Sequence, residues 1–315
     1  RKEAEWQEYK NHLNNNTLNY AFFGDSHTLN GLNPKYLNNS FNFGFPGEEY
    51  TETYYKIRKI IEKDQVEIKN LILEVDIHTF SDFIRTDDAL FGYLGYYNNF
   101  MSINKIAELK KQNIIILFLR SKLRIVGNGM EIMSYFMVEP IQFKLGWVNL
   151  TGDFSVVNRT SLTSIRYKKY FSNNPNLIEK RSFDYFIKTL KFAKKNKMNV
   201  IFIKYPISYE FHSELEKNNI SEKQYYSALF DRVNKTILDY NILDYYDLFF
   251  EHPEYFADPD HLNWQGSEII TKKIVSELYN LRNNDPPYNQ TIANIPKWCY
   301  PRLDKIILSN FCVLN

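Results

Sequence analysis

Short apolar runs and helical apolar spacings follow one another along the 315-residue chain. NYAFFG at 19–24 predicts a buried strand that stops at Gly24-Asp25-Ser26, because a short apolar run bounded by turn residues is how a strand covered on both faces reads. FNFGF at 41–45 predicts a second strand, LILEV at 71–75 a third, NVIFIKYP at 199–206 a fourth ended by Pro206, and ILDYYDL at 242–248 a fifth. Residues 48–63 set Tyr50, Tyr54, Ile57, Ile60 and Ile61 at helical spacing behind an acidic first turn. The same spacing predicts helices over 180–197, 221–240 and 264–281. Strands alternating with helices predict an α/β protein whose parallel sheet is covered on both faces.

About 83–179 breaks this rhythm, because it separates the third and fourth strands by far more than one crossover helix. It is predicted to be a largely helical insertion, in which INKIAELKKQ is helical and 113–126, though strand-like in composition, reads as its continuation. The tail from 282 has the Pro and Asn content of an irregular wrap. The chain therefore divides into an N-terminal helix or linker (1–18), an α/β domain (19–281) interrupted by the insertion, and an irregular C-terminal extension (282–315).

At 44% hydrophobic with 24 Tyr and 24 Phe, the chain has ample material for a core. Its 39 Lys and Arg against 37 Asp and Glu gather into no long block, which gives no footprint for nucleic acid. Cys299 and Cys312 are close enough in sequence for one disulfide, a pairing that spacing alone does not establish. No apolar stretch reaches the roughly 18 residues of a membrane span. Because the chain opens at RKEAEWQEY without methionine, it is expected to be a trimmed form, leaving room for a lost N-terminal anchor and a cell-envelope or other extracytoplasmic location.

Two short segments carry candidate chemistry. GDSH at 24–27 puts Ser26 directly after a buried strand, at the sheet edge where ligands bind in open parallel sheets; Asp25 and Ser26 could equally just cap the following helix. DPDH at 258–261 separates Asp258 from His261 by two residues on a Pro-containing turn. The carboxylate can fold back onto Nδ1 and leave the other ring nitrogen to take a hydroxyl proton. The plain alternative is a helix start capped by Asn263, with the acid and the histidine merely exposed. A metal reading of Asp258, Asp260 and His261 lacks the further ligands a divalent ion requires.

Chain order brings both segments to one edge, and together they resemble the SGNH, or GDSL-type, hydrolase superfamily. That resemblance implies a flavodoxin-like three-layer α/β/α sandwich with a five-stranded parallel sheet. It makes Ser26 the nucleophile, His261 the base and Asp258 its partner, with the backbone N–H groups of Ser26 and of Gly47, the last residue of NFGFPG at 42–47, forming the oxyanion hole. The family's asparagine block is replaced by LEVDIHTF at 73–80. Asp76 would be a poor third donor, His78 could donate, and His27 is expected to pack or cap locally.

GDSH joined to DHLNxxG further resembles the branch holding bacterial cell-surface polysaccharide O-acetyltransferases and esterases. The expected function is acyl transfer through an acyl-Ser26 intermediate, with an ester or acetylated carbohydrate as substrate, a membrane acyl-donor partner, and no cofactor or metal. The rival is a non-catalytic carbohydrate-binding or assembly protein on a decayed scaffold of the same kind.

Overall fold

The computed structural model describes residues 2–13, 16–81, 96–110, 113, 115, 143–171, 177–237 and 239–281. Its strands are β1 (Thr17–Phe23), β2 (Ser40–Asn42), β3 (Glu67–Glu74), β4 (Phe143–Lys144), β5 (Trp147–Val148), β6 (Asn199–Lys204) and β7 (Asn241–Asp244). Its helices are α1 (Lys2–His12), α2 (Ser26–Gly31), α3 (Tyr50–Arg58), α4 (Ile103–Lys110), α5 (Arg159–Phe171), α6 (Lys180–Lys195), α7 (Tyr209–Lys217), α8 (Glu222–Val233) and α9 (Trp264–Leu281).

β1, β2, β3, β6 and β7 form a wholly parallel sheet in the order β2-β1-β3-β6-β7. Successive side chains of a strand point to opposite faces, so Ala21 and Phe23 enter one core while Tyr20 and Phe22 enter the other. Phe202 and Ile203 divide in the same way on β6. The first core is closed by α1, α3, α6 and α8 through Tyr9, Ile57, Phe186 and Leu229; the second is closed by α9 through Ile270, Ile274 and Leu278. This is a three-layer α/β/α sandwich of flavodoxin-like order. The sheet grows from β1 towards β2 on one side and through β3 on the other, so the crevice at the switch point lies beyond the C-terminal ends of β1 and β3.

Several boundaries move from their sequence-based positions for local reasons. β2 stops at Asn42 because the Asn42 Oδ1 accepts the Gly44 N–H (2.8 Å) and turns the chain early. β7 gives way after Asp244 to a turn in which the Leu248 N–H reaches the Tyr245 carbonyl (3.0 Å). α8 ends at Val233, whose carbonyl takes the N–H groups of Thr236 (2.7 Å) and Ile237 (3.0 Å). α7, which periodicity alone did not predict, starts where the Ser208 Oγ caps the Phe211 N–H (3.2 Å). The N-terminal segment is integral to the core, since Tyr9 packs edge-on against Phe43 with ring centroids 5.1 Å apart. Among the described residues no helix is long and apolar enough to cross a membrane.

Between β3 and β6 the described part of the insertion contains α4, the β4–β5 hairpin and α5. Apart from residues 113 and 115, its predicted helix over 113–126 lies outside the described residues, as do Cys299, Cys312 and the extension from 282. The hairpin braces the edge of the sheet, where the Asn42 N–H donates to the Leu145 carbonyl (3.0 Å). It also grips α2, since the Asn30 Nδ2 donates to the Val148 carbonyl (3.0 Å) and the Trp147 Nε1 to the Asn30 carbonyl (2.9 Å).

Gly146, at φ +81°, makes this approach possible, because a Cβ there would sit 1.8 Å from the Asn42 carbonyl oxygen. Gly146→Ala is expected to lower unfolding stability by about 2 kcal/mol or more, through left-handed strain plus displacement of the hairpin. Denaturant unfolding checks this; an unchanged midpoint would mean that the hairpin does not brace the sheet.

Candidate active site

β1 ends in a turn with no spare room. A Cβ on Gly24 would lie 2.2 Å from both Glu74 Oε2 and Thr28 Oγ1, so glycine is required by close approach. Asp25 caps α2, its Oδ1 accepting the His27 N–H at 2.8 Å. Glu74 Oε2, at the end of β3, accepts the N–H groups of Asp25 (3.0 Å) and Thr28 (3.2 Å) and the Thr28 hydroxyl (2.7 Å). The Leu29 N–H returns to the Asp25 carbonyl (3.0 Å). Among the described residues this leaves the Ser26 N–H as the first-turn donor without an acceptor. Asp25 thus caps the helix as one reading of GDSH expects, and the cap leaves Ser26 half-buried at the first position of α2.

The 258–261 turn resolves in the same way. The Asn263 Oδ1 caps α9 through the N–H groups of Gln265 (3.0 Å) and Gly266 (3.1 Å). Just before that cap, Asp258 Oδ1 accepts the backbone N–H groups of Asp260 (3.2 Å) and His261 (3.0 Å). The same carboxylate faces His261 Nδ1 at 2.9 and 3.0 Å through its two oxygens. The other ring nitrogen, Nε2, lies 2.8 Å from Ser26 Oγ. An Nδ1–H directed at a carboxylate leaves Nε2 as the acceptor for the serine proton.

Sequence reading missed a second set of groups behind these three. Asp260 is 1% exposed and points inwards; its Oδ1 lies 3.2 Å from His261 Nδ1 and 3.3 Å from Arg166 Nη1, its Oδ2 3.4 Å from His27 Nε2. Arg166 Nη2 also meets Asp258 Oδ2 at 2.6 Å. His27, expected to pack or cap locally, instead presents Nδ1 to Asp76 Oδ2 (2.6 Å), while Asp76 Oδ1 accepts the Tyr205 N–H (2.7 Å). His78 is buried with Nε2 on Asp25 Oδ2 at 2.8 Å. The positions that replace the asparagine block are thus occupied in holding the nucleophile turn. DPDH contained the signal for Asp260; for Arg166, inside the insertion, there was none.

Burial alone would lower the His261 pKa, but Asp260 and Asp258 outweigh it and hold the imidazole above its ordinary 6.5. Burial works against charge on Asp260 too, and Arg166 and His261 overcome it, keeping that carboxyl well below the usual range. His27 is likewise lifted well above 6.5, because Asp260 and Asp76 prevail over its burial. Glu74 moves the other way: burial, followed by Asp25 and Asp76, raises it well above 4.5.

Asp25, His27, Glu74 and His78 place potential ligand atoms within 4.8 Å of one another, as do His27, Asp260 and His261. The Asp25 and Glu74 oxygens already receive N–H and O–H donors, while the Asp260 oxygens are met by His261, Arg166 and His27 at 3.2, 3.3 and 3.4 Å as charge pairs without a hydrogen bond. Asp258, grouped with Asp260 and His261 in the sequence, belongs to neither set.

The second candidate oxyanion donor, Gly47, adopts φ +66°. Its loop is bound beside the nucleophile turn, the Phe45 N–H donating to the Gly24 carbonyl (3.1 Å) and the Glu48 N–H to the Phe45 carbonyl (3.1 Å).

No protein-family model matches the chain, and no curated protein matches it. Solved structures similar to it include a GDSL-like lipase from Bacteroides thetaiotaomicron (10% identity, TM-score 0.40, covering 89% of this chain and 98% of that one). A Bacteroides fragilis protein described as a candidate acylhydrolase has 11% identity and TM-score 0.40 over 87% of this chain and 94% of that one. A Streptococcus pneumonia protein described as a candidate platelet activating factor has 10% identity and TM-score 0.40 over 88% and 92%.

Glu74 offers a test of the turn. Its folded pKa is raised, so its contribution to stability is complete below the unfolded value, about 4.3, and is lost as pH rises through the raised one. Glu74→Gln keeps an acceptor at Oε1 without titrating. Its Tm relative to the parent should therefore rise between about pH 5 and about pH 8. Glu74→Ala, which orphans the buried donors, should cost about 2–4 kcal/mol at both. A Gln variant as unstable as the Ala variant at every pH would contradict the arrangement.

Proposed function

We propose that the chain is a serine-dependent acyl-ester hydrolase or acyltransferase. The observation that carries the reading is Ser26 Oγ at 2.8 Å from His261 Nε2, with Asp258 on the opposite ring nitrogen. A serine hydroxyl is a weak nucleophile until a neighbouring base can take its proton, and an imidazole fixed by a carboxylate is such a base.

In the first step Ser26 Oγ bonds to the ester carbonyl carbon as its proton passes to His261 Nε2. The negative oxygen of the tetrahedral intermediate is received by the N–H groups of Ser26 and Gly47. The carbon–oxygen bond to the leaving alcohol then breaks, and His261 protonates the departing oxygen. In the second step an acceptor hydroxyl gives its proton to Nε2 and attacks the acyl carbon. Ser26 Oγ departs and recovers the proton.

Water as acceptor makes an esterase and a sugar hydroxyl a transferase. The pairing of GDSH with DHLNxxG supports acetyl as the acyl group and a cell-surface carbohydrate as the natural substrate or acceptor. An acyl donor supplied by a membrane partner, at the cell envelope, follows from that reading. The rival of a decayed binding scaffold is disfavoured because a nucleophile, a base and an orienting acid are all present and within hydrogen-bond range of one another.

A fluorophosphonate probe should label Ser26 in the parent and leave Ser26→Ala unlabelled; equal labelling of both would end the serine mechanism. Acetate release from an aryl acetate should fall as pH drops, because His261 must be neutral to act. The midpoint should lie above the ordinary 6.5 of histidine, because its pKa is raised. A profile flat through that range would exclude His261 as the base. Acetate release with and without an added glycan separates the two enzymes: an unchanged rate with no acetylated glycan would exclude the transferase.

A further inference from the structure

Arg166 and Tyr170 lie one helical turn apart on α5 and so share a face. α5 belongs to the insertion between β3 and β6, yet this face reaches both arms of the site. Arg166 spans the two carboxylates of the 258–261 turn, with Nη2 2.6 Å from Asp258 Oδ2 and Nη1 3.3 Å from Asp260 Oδ1. Its Nη1 also donates to the Tyr170 hydroxyl at 3.1 Å. The Tyr170 ring lies flat on His78, with centroids 4.7 Å apart and planes 12° apart, and His78 holds Asp25, the cap of the nucleophile helix. The sheet supplies the nucleophile and the last turn supplies the base; besides His261 Nδ1 itself, Arg166 is the group among the described residues whose side chain bridges both carboxylates. Without the guanidinium between them those carboxylates would repel more strongly and, while still beside His261, lose the alignment that aims its Nε2 at Ser26.

Resting on the acyl-serine reading above, we propose that Arg166 is the positioning residue that fixes Asp258 and Asp260 on His261, so that the insertion is a working part of the catalytic centre as well as a cover for it. The planar fork of a guanidinium can engage two carboxylates at once, which an ammonium cannot do with the same geometry. The groups around His261 set the sign of the test. Asp258 and Asp260 face it from its own turn and Ser26 and His27 from α2, with Asp76 behind His27, while Arg166, Lys169 and Tyr170 on α5 act on those carboxylates from their far side. Removing the Arg166 cation leaves the carboxylates acting on the imidazole with less positive charge to oppose them, so His261 must hold its proton to higher pH.

The experiment follows the His261 ring by NMR titration, which six histidines make assignable, together with the rate of fluorophosphonate labelling. Variants are Arg166→Gln, Arg166→Lys and, as a control on the same helix, Arg159→Gln, whose arginine pairs with Glu210 at 2.8 Å. Arg166→Gln should raise the His261 midpoint by about one pH unit and slow labelling about tenfold or more. Arg166→Lys should keep the midpoint near the parent's and still label several-fold more slowly, because charge without the fork does not hold both carboxylates. Arg159→Gln should change neither. An unmoved His261 midpoint in Arg166→Gln, or a shift matched by Arg159→Gln, would overturn the proposal. If Arg166→Gln fails to fold, labelling of Arg166→Lys at the parent's rate would overturn it instead. Failure of the parent itself to label at Ser26 would refute the acyl-serine reading and take this role with it, even with the midpoint shift intact.

Discussion

Everything at the C-terminal edge of the sheet depends on keeping a cluster of buried charge in balance. Asp25, His27, Glu74, Asp76, His78, Asp260 and His261 are each under a tenth exposed, in a region that would otherwise be apolar core. Desolvating that many ionisable groups is strongly unfavourable unless each finds an opposite charge or a hydrogen bond. The solution is an alternation: His78 sits on Asp25, His27 between Asp76 and Asp260, and His261 and Arg166 against Asp260 and Asp258. Glu74, surrounded by acids, is pushed towards its neutral form and serves as the acceptor for the turn above it. Each member is neutralised by a neighbour, so removing one leaves another buried charge unmatched.

The reactive group emerges from this balance. Ser26 stands at the start of α2 because Asp25 and Glu74 absorb the surrounding donors, while His261 is turned towards it by carboxylates on its far side. The two residues are 235 apart in sequence, and the parallel order of the sheet brings β1 and the segment before α9 to the same edge. The proposed chemistry would thus use what the neutralised charges leave over, the Ser26 hydroxyl beside His261 and the Ser26 backbone N–H.

Much of this was legible in the sequence. All five sheet strands announced themselves as apolar runs, and α9 matches the spacing of 264–281 from end to end. Ser26, Asp258 and His261 were legible because each lies in a short segment whose local geometry is nearly forced by Gly24, Pro259 and the following helix. Their weakness was ambiguity with capping, and in the structure Asp25 and Asn263 do cap their helices while Ser26, His261 and Asp258 meet beside them. What stayed hidden depends on long-range placement. Asp76 and His78 looked like a failed asparagine block because their partners, His27 and Asp25, are 49 and 53 residues away. Arg166 was invisible, since nothing in RTSLTSIRYKKYF marks one arginine as the partner of an acid 92 residues on.

The central claim is that an acyl group passes through Ser26 Oγ. Rapid quenching of the protein with an aryl acetate, followed by peptide mass analysis, tests it most directly. The account predicts one acetyl group on the peptide carrying Ser26, formed within a turnover, absent in His261→Gln and discharged when an acceptor is added. Acetyl found only on lysines, or appearing at the same rate without His261, would contradict it.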